Sequence, residues 1–135
     1  MDINGDFYEG SWVNGCIHGF CKIKYSSGDI YEGEFQNGKQ TGIGVMYFTN
    51  SNERYEGQWI NGKMTGNGKY FFSGKEMKKY TGQFFNGDIY GYGIMETVDY
   101  IYRGMVKNGL FDGFGRFEHL KDLEIYEGNF SEGKR

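Results

Sequence analysis

Polar and apolar residues alternate along most of the chain, and the alternation returns as a unit. The unit begins at Tyr8, Tyr31, Tyr55, Tyr80, Tyr102 and Tyr126, with periods of 23, 24, 25, 22 and 24 residues. Its openings read YEGSWVNG, YEGEFQNG, YEGQWING, YTGQFFNG, YRGMVKNG and YEGNFSEG. With each Tyr as position 0, positions 0, 2 and 4 hold Tyr, Gly and, in most copies, an aromatic ring, separated by mostly polar residues. A period of two marks a half-buried strand. Asn14-Gly15, Asn37-Gly38, Asn61-Gly62, Asn86-Gly87 and Asn108-Gly109 follow it. Asn-Gly between alternating runs is a strong hairpin signal because both residues tolerate positive φ. The residues after it, such as Lys39-Gln40-Thr41 and Lys63-Met64-Thr65, are loop-like, so the turn is expected to reach the glycine at position 11. A second strand is then expected over residues 20–25, 43–48, 69–72, 92–96 and 114–117, making each unit one hairpin. Length varies only over residues 26–30, 49–54, 73–79, 98–101 and 120–125, which places variable loops along one edge. The expected fold is all-β: an elongated, single-layer antiparallel sheet of stacked hairpins, a twisted trough about 50 Å long at about 4.8 Å per strand.

Composition sharpens this picture. The chain holds 24 Gly, 12 Tyr, 12 Phe and 2 Trp, with no Pro. Each glycine would cost a helix about 1 kcal/mol, which excludes a helical protein. The aromatics supply too much buriable surface for a disordered chain. Positions 2, 7, 11 and 13 of the repeat hold 21 of the 24 glycines, so their abundance is a matter of register. A single-layer sheet has no second sheet to bury against. Large rings must lie flat over neighbouring strands, and a ring lies flat only where the neighbour has no side chain. Tyr8, Trp12, Tyr31, Phe35, Tyr55, Trp59, Tyr80, Phe84, Tyr102 and Tyr126 are therefore read as groove aromatics with a mainly structural role. Glu9, Glu32, Glu56 and Glu127, at position 1, point to the other face as a row of solvated carboxylates.

The motif YEGxW/F-x-NG followed by G-x-G, at a period near 23, resembles the MORN repeat (membrane occupation and recognition nexus), and the match runs from Tyr8 to Arg135. That resemblance implies stacked hairpins with a groove used for binding and not for catalysis. It also implies a role as a protein–protein interaction scaffold linking cytoskeletal or membrane-associated partners, or one that self-associates. The alternative it carries is a regulatory or phosphoinositide-targeting module of a larger enzyme, such as a lipid or protein kinase. Thr81 and Arg103 replace the Glu at position 1, Val106 the aromatic at position 4, and Cys21 the glycine at position 13 in repeat 1.

Candidate chemistry is sparse. The two histidines, His18 and His119, lie about 100 residues apart in an extended array, so no catalytic dyad assembles. The glycine steps lead into no helix and no P-loop Lys-Ser/Thr, so no cofactor is expected. Cys16, His18 and Cys21 cluster around the first turn and could give three zinc ligands, but a fourth would have to come from another chain or from His119 and the spacing is not that of a finger, so no metal site is assigned to them. Fifteen Lys+Arg against 18 Asp+Glu give a net charge of −3, and the only local cationic run is Lys75, Lys78 and Lys79. Weak binding to acidic phospholipid, and none to nucleic acid, is the expectation.

Partner binding has better local support. The face opposite the rings is polar in repeat 3, with Gln58, Asn67 and Lys69, but carries Phe85, Tyr92, Ile94, Met105 and Phe114 in repeats 4 and 5. Contiguous apolar side chains there read either as a binding surface for a protein partner or a second copy, or as residues covered by sheet curvature or the 98–101 loop. Residues 1–135 read as one repeat domain. The segment Asn4-Gly5-Asp6-Phe7-Tyr8 matches Ser27-Gly28-Asp29-Ile30-Tyr31, so the chain is expected to be a piece of a longer one or to pair its ends with another copy. The amino terminus has no signal-peptide pattern, which reads as a cytoplasmic protein, cytoskeleton- or membrane-associated at most.

Overall fold

The computed structural model describes residues 5–13, 16–75 and 77–134; the side chains of residues 11–13, 16, 17 and 77 lie outside that description, and with them that of Trp12. Eleven strands follow one another: β1 (Phe7–Val13), β2 (Cys16–Lys24), β3 (Ile30–Gln36), β4 (Lys39–Phe48), β5 (Glu53–Ile60), β6 (Lys63–Phe71), β7 (Met77–Phe85), β8 (Asp88–Thr97), β9 (Tyr100–Lys107), β10 (Leu110–His119) and β11 (Ile125–Phe130). They form one antiparallel sheet whose spatial order is the sequence order. This is the all-β hairpin array expected from the repeat.

The hairpin turns have two residues. Asn37, Asn61, Asn86 and Asn108 sit at φ of 53°, 48°, 49° and 52°, each followed by a glycine also at positive φ. Two successive positive φ values define the type I′ turn, whose twist matches that of the flanking strands. The expectation that the turn reaches position 11 is corrected here: β4, β6, β8 and β10 begin directly after the turn. What reads as loop is strand interrupted by a bulge. Between the pairs Gly33↔Gly44 and Phe35↔Gln40, Glu34 alone faces residues 41–43. The same offset recurs between Gly57↔Gly68 and Trp59↔Met64, and between Gly82↔Gly93 and Phe84↔Ile89. The bulge glycine adopts positive φ, 106° at Gly66 and 108° at Gly91, a region closed to most other residues.

From Gly33 to Gly128 the glycines of positions 2 and 13 pair with one another across nine consecutive strands, leaving a lane without side chains. The tyrosines lie in it. A Cβ on Gly68 would stand 2.5 Å from both Cε2 and the hydroxyl of Tyr55. Each ring ends in a hydrogen bond to the carbonyl three residues on: Tyr31 to Glu34 (2.8 Å), Tyr55 to Gln58 (2.8 Å), Tyr80 to Gln83 (3.2 Å), Tyr102 to Met105 (2.7 Å) and Tyr126 to Asn129 (3.1 Å). Tyrosine at position 0 is thus selected by reach as well as by area.

The position-4 rings wedge between the tyrosines edge to face. Tyr31–Trp59, Trp59–Tyr55, Tyr55–Phe84 and Phe84–Tyr80 have centroid separations of 5.4, 5.3, 4.9 and 5.4 Å, a geometry that adds about 0.5–1.5 kcal/mol per pair beyond area burial. Tyr31, Tyr55, Tyr80 and Tyr102 are completely buried, and Phe35, Trp59 and Phe84 nearly so. Tyr8 and Tyr126 are half-buried at the flanks. Val106 breaks the ring series, and Phe111 compensates by stacking on Tyr102 at 3.8 Å and 11°. Cys21, the one interruption of the lane among β2 to β11, is buried there, and burial pushes its thiol up to about 11. His18 is exposed whereas Cys21 is buried; the side chain of Cys16 is not described.

The variable edge is tied down by acids two residues before the repeat tyrosine. Asp6 accepts the Ser26 amide (2.7 Å) and Asp29 that of Thr49 (3.1 Å), while Glu53 takes the Tyr70 hydroxyl (2.7 Å) and the Ser73 amide (3.4 Å). Neighbouring repeats are therefore joined at their loops as well as through their rings.

Candidate partner-binding face

The outer face, opposite the rings, is set by the same register. The carboxylates of position 1 are not a free row: Glu32 pairs with Lys22 (3.6 Å), Glu56 with Arg54 (2.9 Å) and Glu127 with Arg116 (3.2 Å). Lys79–Glu96 (3.2 Å) and Arg103–Glu118 (3.5 Å) extend the pattern. All are partly exposed, and such pairs contribute at most about 1 kcal/mol each. Their effect is to neutralise the cations, Lys79 of the only cationic run included.

Beside these pairs, position 3 of repeats 2, 3 and 4 faces the bulge and supplies an acceptor to it. The Ile43 amide donates to Glu34 Oε2 (2.7 Å), that of Asn67 to Gln58 Oε1 (2.7 Å) and that of Tyr92 to Gln83 Oε1 (2.8 Å). Each of these side chains folds over the bulge glycine, where a Cβ at Gly42, Gly66 or Gly91 would collide with it. Repeat 5 has Met105 at that position, which offers the Phe114 amide no comparable acceptor. Met105→Gln should therefore raise stability by about 0.5–1 kcal/mol, read as a higher urea midpoint with an unchanged slope. An unchanged midpoint would mean that water already serves the Phe114 amide as well.

Met105 instead belongs to an apolar patch. It pairs directly with Tyr92 across β8 and β9, and Phe114 follows on β10. Tyr92, Met105 and Phe114 are 54%, 42% and 64% exposed, and Phe85 on β7 is 57% exposed. The register thus places four of the five residues singled out in the sequence on adjacent strands and in solvent. Ile94, opposite Arg103, is half-buried at the margin. Neither curvature nor the 98–101 loop covers them. Sequence reasoning missed Tyr90, which meets Phe85 at 6.3 Å between centroids. It also missed Phe20 and Ile43, exposed at the position equivalent to Tyr92 and Phe114. That equivalence is visible in the repeat once position 12 is compared across copies.

On the ring side, a cleft of 420 Å³ opens over Met64, Phe72, Phe84 and Ile89, rimmed by Glu53, Asp88 and the Asn108-Gly109 turn. No group of three His, Cys, Asp or Glu side chains among the described residues is arranged to hold a metal ion. No helix among them is long and apolar enough to cross a membrane.

One face committed to its own core, the other presenting paired charges and a local apolar patch, with each hairpin repeating the last, defines the class: an open, single-layer repeat array. A family model of the MORN repeat matches residues 8–30, 31–53, 55–75, 80–100, 102–118 and 126–135, and the chain belongs to the MORN-repeat family. Over 112 residues it is 30% identical to the human (Homo sapiens) ALS2 C-terminal-like protein, a match covering 82% of this chain and 10% of that protein. The matching segment therefore spans about a tenth of the relative's length. Repeats of this family serve in general as protein- and membrane-interaction modules and are themselves non-catalytic.

Proposed function

We propose that this array is a non-enzymatic scaffold that holds a protein partner against the outer face of repeats 4 and 5. The observation that carries the reading is the exposure of Tyr92, Met105 and Phe114 on three successive strands, with Phe85 and Tyr90 beside them. The repeat-3 positions that match Met105 and Phe114 hold Gln58 and Asn67, so the fold itself does not require apolar residues at those two positions. Burying one such side chain fully is worth about 1.5–3 kcal/mol, and a few clustered aromatic anchors suffice to dominate an interface. The partner that fits is a protein presenting an apolar surface with polar margins, to meet Arg103, Arg116 and their carboxylates.

A regulatory module within a longer chain would use the same face, and the small share of the human relative covered by the match favours that as the second reading. A phosphoinositide site is less favoured, because such sites require clustered free cations, and Lys22, Lys79 and Arg116 are already paired. The proposed setting is the cytoplasm, at a cytoskeletal or membrane-associated assembly.

A photo-crosslinking amino acid placed at position 92 or 114, and at 58 or 67 as controls, tests the reading in cells. Adducts to a discrete protein are expected from 92 and 114 alone, and should disappear with Phe85→Glu while the far-ultraviolet β spectrum persists. Adducts of equal strength from 58 and 67 would show that the face is not selective. Loss of the β spectrum in both Phe85→Glu and Tyr92→Glu would show that the patch belongs to the core. An adduct with the mass of two copies would identify the partner as the chain itself.

A further inference from the structure

The turns at Asn37, Asn61, Asn86 and Asn108 are not equally secured to the repeat before them; Gly38 is exposed and its amide makes no such bond among the described residues, so the comparison is drawn for the other three. The Gly62 amide donates to the Gln40 carbonyl at 2.9 Å, and the Gly87 amide to the Met64 carbonyl at 2.9 Å. The sixth turn keeps the rule, with Gly133 donating to the Phe111 carbonyl at 2.7 Å. By the same register the Gly109 amide should reach the Ile89 carbonyl, and among the described residues it makes no such bond. Asn108 and Gly109 instead border the ring-side cleft together with Gly87 and Ile89, so the fifth turn stands off its neighbour across open space. Gly109 is exposed, whereas Gly62 and Gly87 are half-buried.

An unbonded, exposed backbone amide following an asparagine is a nucleophile with its target one residue away. We propose that Asn108-Gly109 is a site of spontaneous covalent modification, deamidating through a cyclic imide, while the folded array protects Asn61 and Asn86. In the first step the Gly109 nitrogen attacks Asn108 Cγ; the new N–Cγ bond forms as the bond from Cγ to the side-chain nitrogen breaks, and ammonia leaves with the amide proton. In the second step one water adds to either carbonyl of the five-membered ring. Opening on one side gives aspartate, and on the other isoaspartate, in which the backbone runs through the former side-chain methylene. The net change is water in and ammonia out, with no redox partner. Glycine at 109 removes the side chain that would obstruct the attack. The cleft supplies both the room for Asn108 to rotate out of its turn conformation and the water that opens the ring. At Gly62 and Gly87 the same rotation must first break a hydrogen bond to the preceding repeat, which slows it about fivefold or more.

Modification has a structural consequence. Isoaspartate lengthens the backbone of a two-residue turn and adds a negative charge at the tip of the β9–β10 hairpin, which bears Met105 and Phe114.

The test is to hold the full chain, folded, in mildly alkaline buffer at body temperature and follow each Asn-Gly peptide by digestion and mass spectrometry. Isoaspartate is counted by methyl transfer from S-adenosylmethionine with an isoaspartyl methyltransferase. Asn108 is expected to convert at least about fivefold faster than Asn61 and Asn86, and the three rates should converge when the chain is unfolded in urea. Asn108→Gln should remove the folded-state signal of the 108–109 peptide and leave the other Asn-Gly peptides unchanged. Equal rates at Asn61, Asn86 and Asn108 in the folded chain would overturn the proposal. So would a preference for Asn108 that survives unfolding, since it would then come from local sequence and not from the missing bond.

Discussion

Gly68→Val should lower the stability of the array by about 3 kcal/mol or more, enough to abolish folding if the chain is no more stable than an ordinary domain. The new side chain would occupy the space of the Tyr55 ring, whose Cε2 and hydroxyl stand 2.5 Å from where its first carbon would be. Tyr55 cannot swing aside cheaply. It is completely buried, wedged between Trp59 at 5.3 Å and Phe84 at 4.9 Å, and its hydroxyl is bonded to the Gln58 carbonyl. Displacing it disrupts the packing of two repeats and leaves the Gln58 carbonyl without its partner. Gly74→Ala is the matched control: nothing lies within 4 Å of its added carbon and its φ is not positive, so a change within about 0.5 kcal/mol is expected. Urea denaturation of the two variants reads the difference directly. If the Gly68 variant melted like the parent, the rings would not occupy the glycine lane.

Alkali should unfold the array cooperatively between about pH 10 and pH 12. Burial pushes the phenols of Tyr55, Tyr80 and Tyr102 up to about 12, and that of Tyr31 higher still. An unfolded tyrosine ionises near pH 10. A folded-state pKa above the unfolded one means that the native chain holds its protons longer. The stabilisation is complete below pH 10 and is lost as pH rises towards 12, by about 1–3 kcal/mol for each such phenol. Several tyrosines act together, so the summed loss is comparable to the whole stability of a small domain. Phenolate absorbance and the loss of far-ultraviolet dichroism should therefore rise in one transition. Tyrosines ionising near pH 10 with the β spectrum intact would contradict the packing described for positions 0 and 4.

The repeat arithmetic was enough to read the hairpins, the Asn-Gly turns and the reason glycine accompanies the rings, because each follows from strand periodicity and steric exclusion within one unit. The bulge was not legible. Lys39-Gln40-Thr41 is polar whether it loops out or pairs, and only the cross-strand register shows residues 41–43 sharing one opposite residue. For the same reason the role of position 3 stayed hidden: Glu34, Gln58 and Gln83 look like surface residues until the bulge turns an amide towards each. The ion pairs of Glu32 and Glu127 likewise depend on which strand lies beside which, whereas that of Glu56 with Arg54 lies within one strand. The outer patch was legible in four of its residues from alternation alone. Tyr90 escaped because it lies inside the bulge, where the period of two fails. Phe111 escaped because its place on Tyr102 exists only where Val106 leaves it free.

A sheet whose strands are ordered as they are in the chain has a further property. Every strand pairs only with its predecessor and its successor, so no pairing joins distant parts of the polypeptide. Closing neighbouring pairs costs little chain entropy, and all-β domains usually fold slowly because theirs are distant. This array can start at any hairpin and extend by adding the next. It can also open from its ends inward, one repeat at a time, without dissolving the middle.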